Sequence, residues 1–274
     1  MNSSAPSVSV LIPAHNGERW IAETLERVGA AAGGLSFEIT VVDNASSDGT
    51  VEIARNAPGV RVLRNESNLG FSRAVNQAAA ESTGKTLVAI NQDLHLRPDA
   101  LRRIHEFLSS RNAVAGGALF FPDGSKQPSH GPFPTLTGTI LRLLLPRRMR
   151  KYDLFASAAD GARPVDWVTG AFIGFSRELF DRIRGFDEDY FMYYEDVDFC
   201  ASARRAGFPS YYLPSAQAVH VSPYSERGDA PDWLKREVRY SQTEYFRKHR
   251  PSWEYDTVLA LNKLWFAARG WQWR

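Results

Sequence analysis

The sequence predicts an α/β fold with a mainly parallel central sheet flanked by helices, closed by a C-terminal helical extension. Three observations carry that prediction. Short β-branched runs alternate with helix-period segments from Val8 to Ile90, the pattern of strands joined by crossover helices. Each run ends in a polar, turn-forming cluster, which places candidate ligand-binding side chains at the carboxyl ends of parallel strands. From Asp232 onward the strand signals stop, and aromatic, helix-forming sequence continues to Arg274. The expected organisation is one α/β domain over 1–231, with halves at about 1–98 and 99–231, followed by the extension at 232–274.

Composition bounds the partners. With 274 residues, 43% hydrophobic and 23% charged, the chain is long enough for one sizeable core and is not of disordered composition. Lys+Arg 33 against Asp+Glu 31 leaves a formal charge of +2, too balanced to indicate nucleic acid as a partner. Basic residues nevertheless cluster at Arg142–Lys151 and Lys235–Arg250. One cysteine, Cys200, excludes an internal disulfide and a multi-cysteine zinc site. The polar start at Met1–Pro6 is unlike a signal peptide, and no apolar run reaches the ~20 residues of a membrane span, so a cytoplasmic location is expected.

The elements follow in order. Val8–Pro13 reads as a strand, Ala14–Gly17 as a turn and Glu18–Val28 as a helix. Phe37–Asp43 repeats the strand, and Asn44–Thr50 supplies capping residues for the next helix. Val60–Leu63 is a third strand; Asn68–Ser72 opens an alanine-rich helix to about Ser82; Thr86–Ile90 is a fourth strand ending at Asn91-Gln92-Asp93. Pro98–Ser110 reads as a helix and Ala113–Phe121 as a strand. The proline-, glycine- and arginine-rich stretch from Lys126 to Gly161 is expected to be an irregular, mobile connection. Val165–Phe175 resumes as a buried strand pair, Arg177–Ile183 is helical, and Tyr211–Leu213 and Ala218–Val221 read as two short strands. Helices broken near Pro251 complete the chain.

One stretch stands out chemically. Phe191 to Cys200 holds Glu195, Asp196 and Asp198 amid aromatic residues. Desolvation by the rings would raise a carboxylate pKa and make a better proton acceptor. The plainer reading is that these acids occupy the first turn of a helix over Asp196–Ala206, where the macrodipole favours negative charge.

Taken together, six pieces in order resemble the family 2 glycosyltransferases, and within them the bacterial rhamnosyltransferase-like group. They are Val10–Gly17, Val41–Gly49, Asn68–Asn76, Asn91–Asp93, Trp167–Phe172, and Gly185–Asp187 running on to Cys200. The resemblance implies a GT-A fold, with a nucleotide-sugar-binding half followed by an acceptor-binding half. It implies that Pro13 and His15 line a nucleobase slot, and that Asp43 accepts the imide N–H of uracil or thymine, a match between a carboxylate and a pyrimidine dione. Asn68, Gly70, Phe71 and Asn76 match the segment that approaches the ribose and diphosphate. Asn91, Gln92 and Asp93 stand in place of the family's Asp-x-Asp motif with only the last acid present. The resemblance then implies a divalent cation, Mg²⁺ or Mn²⁺, on Asp93 and on His220, which lies 24 residues after Asp196. His95 is the weaker competitor for that role. Asp196 takes the place of the family's base and Glu195 that of an orienting acid. Trp167 and Gly170 fall on the acceptor platform, with plain core packing an equal reading for Trp167.

The implied activity is inverting transfer of a sugar, L-rhamnose on subgroup resemblance, from a dTDP- or UDP-sugar to a hydroxyl of a glycan or lipid-linked saccharide in surface polysaccharide synthesis. Arg142, Arg147, Arg148, Arg150 and Lys151 beside Leu141, Leu143, Leu144 and Leu145, with the aromatic-basic C-terminal region, fit either peripheral contact with an anionic inner leaflet or a solvated loop and a packed helix. The incomplete Asp-x-Asp motif leaves a catalytically inactive sugar-nucleotide-binding protein as the alternative.

Overall fold

A computed structural model describes residues 5–144, 161–221 and 231–274. Strands β1 (Val8–Ala14), β2 (Phe37–Asn44) and β3 (Val60–Asn65) are joined by helices α1 (Ile21–Ala32) and α2 (Thr50–Asn56). Helix α3 (Phe71–Ala80) leads into β4 (Thr86–Ile90), β5 (Leu94–Leu96), α4 (Ala100–Ser109) and β6 (Val114–Phe120). Then come β7 (Lys126–Gln127), β8 (His130–Gly131), α5 (Leu136–Leu144), β9 (Arg163–Val165), β10 (Trp167–Val168) and β11 (Phe172–Ser176). Helices α6 (Arg177–Ile183) and α7 (Glu195–Arg205), strand β12 (Ser210–His220), and helices α8 (Asp232–His249) and α9 (Ser252–Ala267) complete the described chain.

The central sheet runs β3-β2-β1-β4-β11-β6-β12-β5. Strands β3, β2, β1 and β4 are mutually parallel, as crossover helices require. Beyond β4 the sheet is mixed: β11 runs antiparallel to both β4 and β6, while β6 and β12 are parallel. The five residues of β4 are all buried because helices cover both faces of the sheet, which is why the strands read as continuous apolar runs. One core lies under α1 and α4, and a second under α3, α6 and α7.

Local chemistry explains the differences from the sequence reading. Helix α1 starts at Ile21 rather than Glu18, because Trp20 and Ile21 donate to the Gly17 carbonyl in a turn. The Glu18 carboxylate instead accepts from Gly49 N at 3.0 Å, while Asp48 accepts from Glu18 N at 3.1 Å, so the two loops cap each other. The two expected strands near Tyr211 and Val219 are one strand, β12, whose register shifts between Leu213 and Gln217; Pro214, which lacks a ladder donor, sits in that bulge. Part of the expected irregular connection is ordered as β7, β8 and α5. Leu145, Arg147, Arg148, Arg150 and Lys151 lie outside the described residues. Arg142, Leu143 and Leu144 close α5, and their side chains are also outside the described set.

The C-terminal hairpin is not a loose appendage. Tyr245 and Phe246 of α8 and Val258 of α9 share a buried cluster with Tyr190, Val197 and Ala201, so α8 packs directly on the acidic segment and α7. Among the described residues no helix is long and apolar enough to cross a membrane.

Candidate active site

The carboxyl ends of β1, β2 and β4 meet above the sheet, as the parallel arrangement demands. Asp43, at the end of β2, is fully buried; its Oδ2 accepts from Ser46 N at 3.1 Å, and Arg64 Nε lies 3.8 Å away. Its Oδ1 is buried with no partner. An orphaned carboxylate oxygen costs roughly 1–3 kcal/mol, and a donor supplied by a ligand would relieve that cost. His15 sits exposed beside it, with Nδ1 donating to the Asn44 carbonyl at 2.8 Å, and Pro13 is half-buried at the strand end. Gln92 brackets the His15 peptide: His15 N donates to Oε1 and Nε2 donates to the His15 carbonyl, both at 2.9 Å. Gln92 therefore shapes the slot by holding His15.

The turn into α3 is fixed from three sides. Gly70 N donates to Asn68 Oδ1 at 3.0 Å, and Asn44 Nδ2 donates to the Gly70 carbonyl at 3.0 Å. Phe71 N donates to the Phe191 carbonyl at 2.8 Å, which ties this turn to the acidic segment. Gly70 has φ 86, and a Cβ there would lie 2.3 Å from the Phe191 carbonyl oxygen, so only glycine fits. Asn76 departs from its expected place near the donor. Its Nδ2 donates to the Phe186 carbonyl at 2.8 Å and to Glu188 at 3.2 Å, while Oδ1 accepts from Phe186 N at 2.9 Å. With its amide fully engaged, Asn76 clamps the Gly185-Phe186-Asp187 turn and has no polar atom to offer a diphosphate.

Asp93 and His220, distant in sequence, are brought together because β5 pairs with the end of β12. His220 Nε2 lies 3.3 Å from Asp93 Oδ1 and 3.2 Å from Asn91 Nδ2, both residues of the pair are buried, and His220 Nδ1 has no partner. Adjacent ligands of an octahedral Mg²⁺ or Mn²⁺ are about 3 Å apart, so this pair fits two corners of such a site. Among the described residues no group of three or more His, Cys, Asp or Glu could hold a metal, so the other corners would fall to diphosphate oxygens and water. His95 turns its Nδ1 to Glu23 of α1 at 3.3 Å, and its Nε2 is buried without a partner.

The acid segment completes the arrangement. Asn91 N donates to the Ala171 carbonyl at 3.2 Å, and the neighbouring Gly170 N donates to Asp196 Oδ2 at 2.9 Å. The Asp93 end of β4 and Asp196 are thus linked through two adjacent residues. Gly170 is buried, and a Cβ there would meet the Phe71 ring at 3.1 Å and the Asp196 Cβ at 3.6 Å. Burial raises the Asp196 pKa, and the N–H groups of Gly170 and Val197 oppose that rise. Burial, with the neighbouring Asp196 charge, pushes Glu195 well above the usual range, and its Oε2 has no partner. Trp167 is half-buried, donating Nε1 to the Pro132 carbonyl at 2.8 Å.

Tyr193 and Tyr194, immediately before α7, have φ 67 and 64, a left-handed pair worth roughly 1–3 kcal/mol of strain per residue. Helix α8 holds them there. Ser241 Oγ donates to the Met192 carbonyl at 2.9 Å and Gln242 Nε2 to Tyr194 Oη at 3.1 Å. Lys248 Nζ reaches Asp187 and Asp189 at 2.5 and 2.7 Å, and His249 Nε2 meets Asp198 Oδ1 at 2.5 Å. The sequence carried no signal for this latch; Arg64, at a strand's carboxyl end, was legible by position and passed over.

This architecture defines a glycosyltransferase of the GT-A class. The mannosyltransferase PcManGT from Pyrobaculum calidifontis, solved with GDP-Man and Mn²⁺, superposes with TM-score 0.62 at 20% identity, covering 96% of this chain and 70% of that one. S. aureus TarS 1-349 in complex with UDP gives TM-score 0.57 at 19% identity, over 93% of this chain and 70% of that one. The chain belongs to glycosyl transferase family 2, whose model matches residues 9–184. That match holds the donor-side residues and ends before Asp196 and His220. The Mycobacterium tuberculosis N-acetylglucosaminyl-diphospho-decaprenol L-rhamnosyltransferase is 32% identical over 215 residues, 72% of this chain and 70% of that protein. Rhamnosyltransferase WbbL of Escherichia coli K12 is 28% identical over 247 residues, 85% of this chain and 92% of its own length.

Proposed function

We propose that this glycosyltransferase moves L-rhamnose from dTDP-L-rhamnose, with UDP-sugars the next donor class, to a hydroxyl of a glycan or lipid-linked saccharide in surface polysaccharide synthesis, with inversion. The similarity to two rhamnosyltransferases supports the sugar. The observation that carries the mechanism is the short path from the Asp93 end of β4 through Ala171 and Gly170 to Asp196. Asp43 Oδ1 receives the imide N–H of the pyrimidine, and Gly70 lets the backbone approach the diphosphate. Asp196 takes the acceptor's hydroxyl proton as the oxygen bonds to the anomeric carbon and the bond to the diphosphate breaks. Asp93 and His220 would hold a divalent cation, which would supply charge neutralisation for the departing diphosphate. The enzyme works on the cytoplasmic side of the membrane that carries its acceptor, in peripheral contact with it.

The test is thermal stabilisation of the purified protein by dTDP-L-rhamnose and by UDP- and GDP-sugars, with and without Mg²⁺ or Mn²⁺, followed by NMR of the product anomer. A shift with one dTDP- or UDP-sugar that needs metal, and that is lost both in Asp43→Ala and in His220→Ala, supports both sites. No shift with any donor moves the reading to a catalytically inactive scaffold protein, and a retained anomer overturns single displacement.

A further inference from the structure

Helix α9 is apolar on two opposite sides. Its inner face buries Val258 and Phe266 together with Glu254 and Asn262. Its outer face carries Trp253 (60% exposed), Ala260, Leu264 (67% exposed) and Ala267, bordered by Asp256, Thr257 and Lys263. Positions 253 and 264 are eleven residues apart, so they share one bearing to within about 20° at 3.6 residues per turn, and 260 and 267 fall beside them. An exposed Trp and Leu on one bearing of a helix make an apolar stripe that its own fold leaves uncovered. The neighbouring helix α5 packs against α9 and presents Ile140 (37% exposed) and Leu141 (48% exposed). Exposed apolar side chains thus occur on both of these packed helices.

Charge selects the occupant. Residues 231–274 hold nine Lys and Arg against five Asp and Glu, so the positive excess of the chain resides in this extension and the remainder is net acidic. Four of those five acids are engaged: Glu237 with Arg274, Glu244 with Arg247, Glu254 with Arg250 and Asp232 with Lys235. At the far end of α9, guanidiniums lie over indole rings: Arg269 and Arg239 over Trp265, and Arg236 over Trp271. Tryptophan with arginine flanking an apolar helix face is the composition of a bilayer interface, and a basic surround matches anionic headgroups.

We infer that the outer face of α9, with Ile140 and Leu141 of α5, docks the enzyme on an anionic phospholipid bilayer, the helix lying in the interface plane. Its purpose rests on the proposed lipid-linked acceptor; its location rests on surface chemistry alone. Because α5 and α9 border the cluster that supports Tyr194 and α7, docking there brings the acid segment close to the bilayer surface.

Flotation of the full chain with phosphatidylcholine vesicles and with vesicles also containing phosphatidylglycerol tests this. The wild type is expected to bind the anionic vesicles, more weakly as salt rises, and Trp253→Glu/Leu264→Glu to lose at least about tenfold in affinity, since burying one such side chain is worth more than a factor of ten. Both positions are exposed, so an unchanged melting temperature confirms folding. Stabilisation by dTDP or UDP, read on the same variant, reports the donor site separately: its loss in every protein would defeat the proposed function while leaving the docking result standing. Absence of wild-type binding at low salt, equal binding by the variant, or a dimer in sedimentation that the variant dissolves would overturn the inference, the last by assigning the face to a second copy of this chain.

Discussion

Replacing His249 with alanine removes the partner of a buried carboxylate two residues from Asp196. The Asp198 and His249 side chains are 7% and 5% exposed and 2.5 Å apart. After the change Asp198 keeps only the Tyr190 hydroxyl at 3.2 Å, and the stack of His249 on Tyr245 is lost. Arg205 donates to Nδ1 of His249, so the ring meets Asp198 as an Nε2–H donor, and leaving a buried carboxylate short of that donor costs about 1–3 kcal/mol, a large part of the roughly 5–15 kcal/mol that holds a domain together. His249→Gln keeps an N–H donor near the Nε2 position, and its expected cost is about 1 kcal/mol. Urea denaturation gives both numbers. The strained Tyr193-Tyr194 turn relies on the same helix, so the alanine variant should also lose kcat while the donor KM, set by Asp43 and the α3 turn, changes little. Equal stability losses in the alanine and glutamine variants, or a loss below 1 kcal/mol for alanine, would refute the latch as an energetic element. A change confined to donor KM would refute its link to Asp196.

Three further outcomes follow from the same geometry. Gly70→Ala places a methyl 2.3 Å from the Phe191 carbonyl oxygen at φ 86, and should destabilise by more than about 2 kcal/mol and weaken nucleotide binding together, measured by denaturation and calorimetry. As the proposed base, Asp196 must be deprotonated to act and its folded pKa is raised, so kcat/KM should fall on acidification through a value above the ordinary 3.8 of an aspartate. Glu195, raised further, binds more protons folded than unfolded. Its contribution is therefore present below its ordinary value of 4.5 and is lost as pH rises through the folded value. Glu195→Gln should raise the melting temperature at neutral pH, with the gain closing in acid; a gain independent of pH would show that Glu195 is not a buried charge.

Periodicity and punctuation determined the parallel half of this fold, because each β-branched run and each alanine-rich segment has one period available to it and a polar turn to close it. The same order placed Asp43 and the Asn91–Asp93 turn at strand ends, where a parallel sheet gathers ligand-binding groups. Other features depended on contacts between residues far apart in sequence. The mixed half of the sheet, the single bulged β12, and the meeting of Asp93 with His220 all follow from strand pairings that no local pattern encodes. Asn76 and Gln92 look equally polar in sequence, and only the packed chain shows both engaged on backbone, one on Phe186 and the other on His15. Helix α8 reads as an ordinary aromatic-basic helix; that Ser241, Gln242, Lys248 and His249 hold the acid segment is decided by the shared core around Tyr190 and Tyr245, since a strained turn persists only where tertiary contacts over-determine it.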